Sequence, residues 1–121
     1  MRIGIDLVRI ERFAHWATNR ATLEKVFSPA EQDLILECNG KRRIELIAGR
    51  FAAKEAVIKA IGSGFHGEIR LTEIETLKRE TGAPYLTFRG TLEGYVNDLG
   101  LGHEVSISHD GGMAIAVVVF Y

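Results

Sequence analysis

Two carboxylates and an amine stand out in this chain because of the pattern each interrupts. Asp6 breaks the apolar run Ile3-Gly4-Ile5-Asp6-Leu7-Val8, and a carboxylate in that setting needs hydrogen-bond donors or a cation. Glu55 and Lys59 lie four residues apart in Arg50-Phe51-Ala52-Ala53-Lys54-Glu55-Ala56-Val57-Ile58-Lys59, which makes them neighbours on one helix face. Brought together, Asp6 and Glu55 would repel unless a cation sat between them, and two hard oxygen donors with room for water and phosphate suit Mg²⁺. Lys59, one turn beyond Glu55, would then meet a phosphate oxygen, and the loop Gly62-Ser63-Gly64 would let backbone approach a ligand. Each feature also has a plainer reading. Asp6 can cap the helix that follows its strand. Glu55 and Lys59 can form an exposed ion pair worth about 0.3–0.5 kcal/mol. The glycine loop can simply end a helix: it follows one rather than opening one, so it is neither a dinucleotide fingerprint nor a P-loop.

The elements that must position these residues follow from periodicity. Over residues 2–8 a period of two predicts a strand near its sheet's core, with Ile3, Ile5 and Leu7 on one face and Gly4, Asp6 and Val8 on the other. Ile10, Phe13, Ala14 and Ala17 then predict a short helix over 9–18. Ser28-Pro29-Ala30-Glu31 combines a capping serine, a proline at the first helical position and a glutamate that closes the capping box, which predicts a helix over 29–38. The longest helical pattern runs from 41 to 62, with Ile44, Ile47, Ala48, Phe51, Ile58 and Ile61 along its buried side. Strands follow over 68–79 and 84–88, around Thr81-Gly82-Ala83, and over 104–109 and 113–121, around Asp110-Gly111-Gly112. Between the two hairpins, Leu92, Tyr95, Val96 and Leu99 trace a helical face closed by Gly100. Early helices and late antiparallel strands predict an α+β fold, an antiparallel sheet with helices packed on it, in which the first strand joins the sheet made by the later hairpins.

Composition narrows the function classes. At 121 residues there is room for one core, and a single domain over 1–121 is expected. Fifteen Lys and Arg against sixteen Asp and Glu give a net charge of −1, so nothing global suggests a nucleic-acid partner or a polybasic membrane surface. The single Cys38 excludes an internal disulfide, no Cys-x-x-Cys or close histidine pair offers a zinc site, and a reducing cytoplasm fits best. No run reaches the apolar length of a membrane span, and charge arrives too early at the N-terminus for a secretory segment.

Taken in order, Gly4-Ile5-Asp6-Leu7-Val8, Val26-Phe27-Ser28-Pro29-Ala30-Glu31, Gly49-Arg50-Phe51-Ala52-Ala53-Lys54-Glu55-Ala56 with Lys59, and Val105-Ser106-Ile107-Ser108-His109 resemble the holo-[acyl-carrier-protein] synthases, the short type of 4′-phosphopantetheinyl transferase. The resemblance covers nearly the whole chain. It implies a single copy of the 4′-phosphopantetheinyl transferase fold and a Mg²⁺-dependent reaction in which the serine of an apo acyl carrier protein attacks the β-phosphate of coenzyme A and 3′,5′-ADP leaves, most often for fatty acid biosynthesis. Asp6 and Glu55 would hold the metal, Lys59 would offset charge on the phosphate oxygens, and Glu55, directly or through water, would take the serine proton.

The same resemblance places Arg50 near the nucleotide phosphates and Arg42 where it reaches the 3′-phosphate or the partner; both have the alternative of a solvated helix start. Arg9 and Arg12 would dock the acidic recognition helix of the carrier protein. Ser106 and His109 are candidates for the nucleotide site, against an exposed strand serine and a turn histidine. Pro84, in Gly82-Ala83-Pro84-Tyr85, resembles a family hairpin near the nucleotide, although turn-fixing and packing explain Pro84 and Tyr85 equally well. One position departs from the family: many relatives have histidine where Glu104 stands, with His103 one residue earlier, so strand alternation turns His103 to the other face unless a bulge re-aims it. His15, Trp16, His66 and Cys38 read as structural. Larger members of the superfamily hold two similar halves, so a single copy needs another subunit, and the resemblance implies a homotrimer with sites between subunits. The rivals are a non-catalytic coenzyme A or carrier-protein binding module and a Mg²⁺-dependent nucleotide hydrolase.

Overall fold

The structure is a computed structural model that describes all residues from Met1 to Tyr121. Strand β1 (Arg2–Arg9) leads into a 3-10 segment (Ile10–Thr18), then α1 (Arg20–Val26), α2 (Pro29–Glu37) and the long α3 (Gly40–Ile61). After short 3-10 turns come β2 (Ile74–Lys78), β3 (Pro84–Phe88), α4 (Gly90–Leu99), β4 (His103–Asp110) and β5 (Met113–Phe120). The fold is α+β with antiparallel strands, as the sequence pattern predicts.

The strands form two sheets rather than one. β5 lies between β1 and β4, while β2 and β3 pair only with each other. The two sheets meet through side chains instead of a ladder: Phe88 at the end of β3 packs edge-on against His103 at the start of β4, with ring centroids 5.1 Å apart.

Helix α3 is the axis of the molecule. From Ile47 to Lys54 every residue is buried, so it is enclosed on all sides rather than along the single stripe that periodicity suggests. Its contact with the three-stranded sheet is made of small residues. Gly4, Ala114 and Ala116 from the sheet meet a helix carrying Ala48, Ala52, Ala53, Ala56 and Ala60, all buried. Gly4 is the tightest point: a Cβ there would stand 2.7 Å from the Ala60 nitrogen and nearer still to the Ala56 carbonyl oxygen. Only glycine lets the strand lie directly on the helix backbone.

Several local expectations are corrected. Residues 10–18 form a 3-10 helix, tied at its start to the β4–β5 turn by the Ile10 N–H, which donates to the Gly112 carbonyl at 2.8 Å. Helix α1 carries only two buried apolar residues, Leu23 and Val26, too few for a periodic signal, and is started by Asn19, whose side chain accepts from the Thr22 N–H at 3.1 Å. The strand expected over 68–79 exists only over 74–78. The Lys54 ammonium takes the carbonyl of Leu71, in the 3-10 turn just before the strand, and that of Ile74, the strand's first residue. The capping box at Ser28 and Glu31 forms as expected.

The two faces of β1 also fall differently from a strand in a sheet's core. Gly4, Asp6 and Val8 face α3, whereas Ile3, Ile5 and Leu7 are 59%, 52% and 58% exposed. They stand in register with Val119, Val117 and Ile115 of β5, so six branched apolar side chains cover the outer face of two neighbouring strands.

Candidate active site

Asp6 does not cap the helix after its strand: the residue at that position is Arg9, and no side chain caps the 3-10 segment. Because β1 lies against the last turns of α3, the Asp6 carboxylate points at that helix, and Lys59 donates to its Oδ1 at 3.0 Å. Lys59 therefore pairs with Asp6, not with Glu55 one turn back. The Asp6 side chain is 13% exposed and that of Lys59 56%. The second oxygen, Oδ2, is buried without a hydrogen-bond partner. Glu55, half-buried and also free of hydrogen bonds and ion pairs, shares Lys59's helix face. A buried carboxylate oxygen without a donor costs about 1–3 kcal/mol, and a hard divalent cation is one group that would satisfy it. The free Asp6 oxygen thus suits the cation its residue type suggests, and Glu55 offers a second unpaired carboxylate on the same helix face as Lys59. No cluster of three or more His, Cys, Asp or Glu side chains is present, so such a cation needs its remaining ligands from substrate and water.

The glycine loop follows within one turn of Lys59. Gly62 caps α3 with φ +62°, and Gly62–Gly64 form an exposed 3-10 turn. Arg2 anchors this end by donating to the Ile61 carbonyl at 3.0 Å, a cation placed at a helix C-terminus.

The other candidates lie elsewhere. Arg50 is buried with its Nε unpartnered, and desolvation lowers its pKa from the ordinary arginine value. Arg42 is exposed near the start of α3, thirteen residues before Glu55 and so about 20 Å away along the axis. Its neighbour Arg43 is a structural clamp, donating to the Cys38, Ala17 and Leu36 carbonyls at 2.7, 3.3 and 3.2 Å. Arg12 lies over the Phe13 and Phe51 rings at 5.0 and 5.2 Å, with Trp16 packed on both rings. Arg9 and His109 share a groove of about 770 Å³ with Lys41 and Glu45, and His109 Nδ1 stands 3.5 Å from a Glu45 oxygen. Ser106 is exposed on the outer face of β4, opposite the face that carries Asp6. Pro84 opens β3 in the second sheet. Its neighbour Tyr85 carries the Arg79 guanidinium 5.0 Å above its ring. β4 pairs with β5 residue for residue without a bulge, so His103 faces inward against Phe88 and Phe120 while Glu104 is exposed. Burial lowers the His103 pKa below the ordinary histidine value.

One buried network escaped the sequence reading. Lys54 and Glu31, both fully buried, pair at 2.6 Å. Glu31 also accepts from the Ser28 and Thr76 N–H groups, each at 3.0 Å, and Lys54 donates to the Leu71 carbonyl at 2.8 Å and to that of Ile74. Burial pushes the Glu31 carboxyl up and the Lys54 ammonium down, with their mutual attraction opposing both shifts. The network joins α2, α3 and β2 and fixes the rotation of α3 at the residue before Glu55. A lysine inside a buried helical run was the available signal.

Comparison with known proteins gives the class directly. Residues 2–118 match the model of the 4′-phosphopantetheinyl transferase superfamily. A holo-[acyl-carrier-protein] synthase of Campylobacter hominis is 38% identical across 97% of this chain and 94% of its own. Among solved structures, the Chronobacterium ammoniagenes synthase in complex with coenzyme A superposes with a TM-score of 0.81 at 34% identity, covering 98% of this chain and 95% of that one. The Helicobacter pylori synthase, also with coenzyme A, gives 0.77 at 36% identity over 98% and 99%. The chain belongs to this superfamily and, within it, to the holo-[acyl-carrier-protein] synthases, which are phosphopantetheinyl transferases.

Proposed function

We propose that this chain, as one domain over residues 1–121, transfers the 4′-phosphopantetheine group of coenzyme A to a serine of an apo acyl carrier protein, with Mg²⁺ and in fatty acid biosynthesis. The observation that carries this reading is Asp6, paired through one oxygen with Lys59 and left without a donor on the other, with an unpaired Glu55 one helical turn before Lys59. The serine oxygen forms a bond to the β-phosphorus, the bond to the bridging oxygen breaks, 3′,5′-ADP carries away the electron pair, and the serine proton passes to a base.

Asp6 and Glu55 would hold the metal. When bound, it would neutralise charge on the diphosphate. Lys59 would balance the growing charge on the phosphate oxygens from a flexible stem, and Glu55, directly or through water, would accept the serine proton. Arg42, Arg50, Gly62, Ser63, Gly64, Pro84, Ser106 and His109 are assigned to coenzyme A, and Arg9 and Arg12 to the carrier protein. These residues are spread over both faces of the three-stranded sheet and over the second sheet, so one chain does not gather them. A homotrimer with each site between neighbours reconciles the spread, and the exposed row of Ile3, Ile5 and Leu7 beside Ile115, Val117 and Val119 supplies an apolar face for it. No helix is long and apolar enough to cross a membrane, and a cytoplasmic site of action is part of the proposal.

Incubation with apo carrier protein, coenzyme A and Mg²⁺, followed by intact mass measurement, tests the reaction. A gain of one phosphopantetheine, absent after chelation, is expected; binding of coenzyme A with no transfer to any carrier would favour a binding module instead. Light scattering that gives the mass of one chain at working concentration would remove the trimer.

A further inference from the structure

Lys59 does something in this structure that a phosphate ligand alone does not require: its ammonium holds one of the two Asp6 oxygens, leaving only Oδ2 free for a metal. We propose that Lys59 guards the metal site, competing with a divalent cation for the Asp6 carboxylate until nucleotide phosphates draw the ammonium away. The proposal rests on the reading of Asp6 and Glu55 as metal ligands.

Three observations carry it. First, the protein offers only two carboxylates and no third ligand, so intrinsic affinity for a cation that gives up water reluctantly is low. An ammonium a few ångströms away lowers it further by repulsion and by occupying Oδ1. Second, the pair is asymmetric. Asp6 is nearly buried and fixed by the strand, whereas Lys59 is more than half exposed on a long stem, so the lysine is the partner that moves. Third, an exposed ammonium holds such a pair by less than about 1 kcal/mol, so the more concentrated charge of a diphosphate is enough to take it. Lys59 then exchanges one anion for another, and Asp6 Oδ1 becomes available as the phosphate oxygens arrive to complete the metal's shell.

The consequence is coupling. Metal and coenzyme A each strengthen the other's binding by the same factor, as linkage requires, and part of that factor resides in Lys59. The guard also keeps the protein from holding metal without its nucleotide.

The test uses the intact protein and Mn²⁺ alone as the probe, with free Mn²⁺ measured by electron paramagnetic resonance, in the presence and absence of coenzyme A and without carrier protein so that nothing turns over. Lys59→Met is expected to bind Mn²⁺ without coenzyme A about five- to tenfold more tightly than the wild type, from lost competition and lost repulsion. It is also expected to lose most of the strengthening that coenzyme A gives the wild type. Equal or weaker Mn²⁺ binding by Lys59→Met, with the wild-type enhancement intact, overturns the guard. Lys59→Gln repeats the measurement should the methionine variant fail to fold. Asp6→Asn separates the guard from the reading beneath it. If Asp6→Asn abolishes Mn²⁺ binding while Lys59→Met changes nothing, only the guard fails. If Asp6→Asn and Glu55→Gln both bind Mn²⁺ as the wild type does in coenzyme A, the metal site itself is wrong and the guard falls with it.

Discussion

Replacing Gly4 by alanine tests whether the approach of β1 to α3 positions the site. The added Cβ would meet the Ala60 nitrogen at 2.7 Å and the Ala56 carbonyl at closer range. Both are backbone atoms of a buried helix, so no side chain can turn aside, and strand and helix must separate by more than about 1 Å to restore ordinary contact. Overpacking costs about 1–3 kcal/mol where a core can yield, and a contact between two backbones belongs at the upper end. For a chain of this length, about 3 kcal/mol lowers the melting temperature by about 10 °C. The same separation moves Asp6 relative to Glu55 and Lys59, and a misplacement of that size costs about a hundredfold in rate. Gly94→Ala is the control: it lies within α4 with nothing near its Cβ position, and it is expected to gain about 0.5–1 kcal/mol. Thermal denaturation and the initial rate of carrier-protein modification read both effects. A Gly4→Ala protein with wild-type melting temperature and rate would refute the argument that this contact sets the geometry.

Other expectations follow from particular contacts. Lys54→Met leaves the Glu31 carboxylate buried without its cation and should cost about 3–5 kcal/mol in urea denaturation, with Glu31→Gln/Lys54→Met costing less than the sum of its parts. His103 is held below the ordinary histidine pKa by burial, so the unfolded chain binds more protons just below pH 6.5; stability should fall as pH drops from there, and His103→Gln should flatten that slope. Leu7→Lys places a charge on the exposed apolar face of β1 and should shift the mass seen by light scattering to that of a single chain while leaving far-UV dichroism unchanged.

How far the sequence carried depended on whether a contact was local. The Ser28 capping box, the length of α3 and the hairpin of β4 and β5 are written within a few residues of chain, and periodicity found them. The Asp6 to Lys59 pair spans 53 residues and exists only because Gly4 lets the strand lie on the helix, so spacing first suggested the neighbouring Glu55 for Lys59. Glu31 reads locally as the capping-box glutamate and Lys54 as a lysine in a buried run, but that the two pair is visible only in three dimensions. Alternation over residues 2–8 separates two faces but does not say which one the helix covers; the smaller Gly4, Asp6 and Val8 face won because close packing on an alanine-rich helix favours small residues. The second sheet escaped because a short hairpin carries no mark of which strands it declines to pair with.

Single-turnover modification of apo carrier protein by Asp6→Asn and Glu55→Gln, followed by intact mass, decides whether Asp6 and Glu55 together make the reactive site. Both variants are expected to keep the wild-type far-UV dichroism and to transfer at least a hundredfold more slowly, about 3 kcal/mol in transition-state stabilisation. Near-normal transfer by both would contradict the two-carboxylate site.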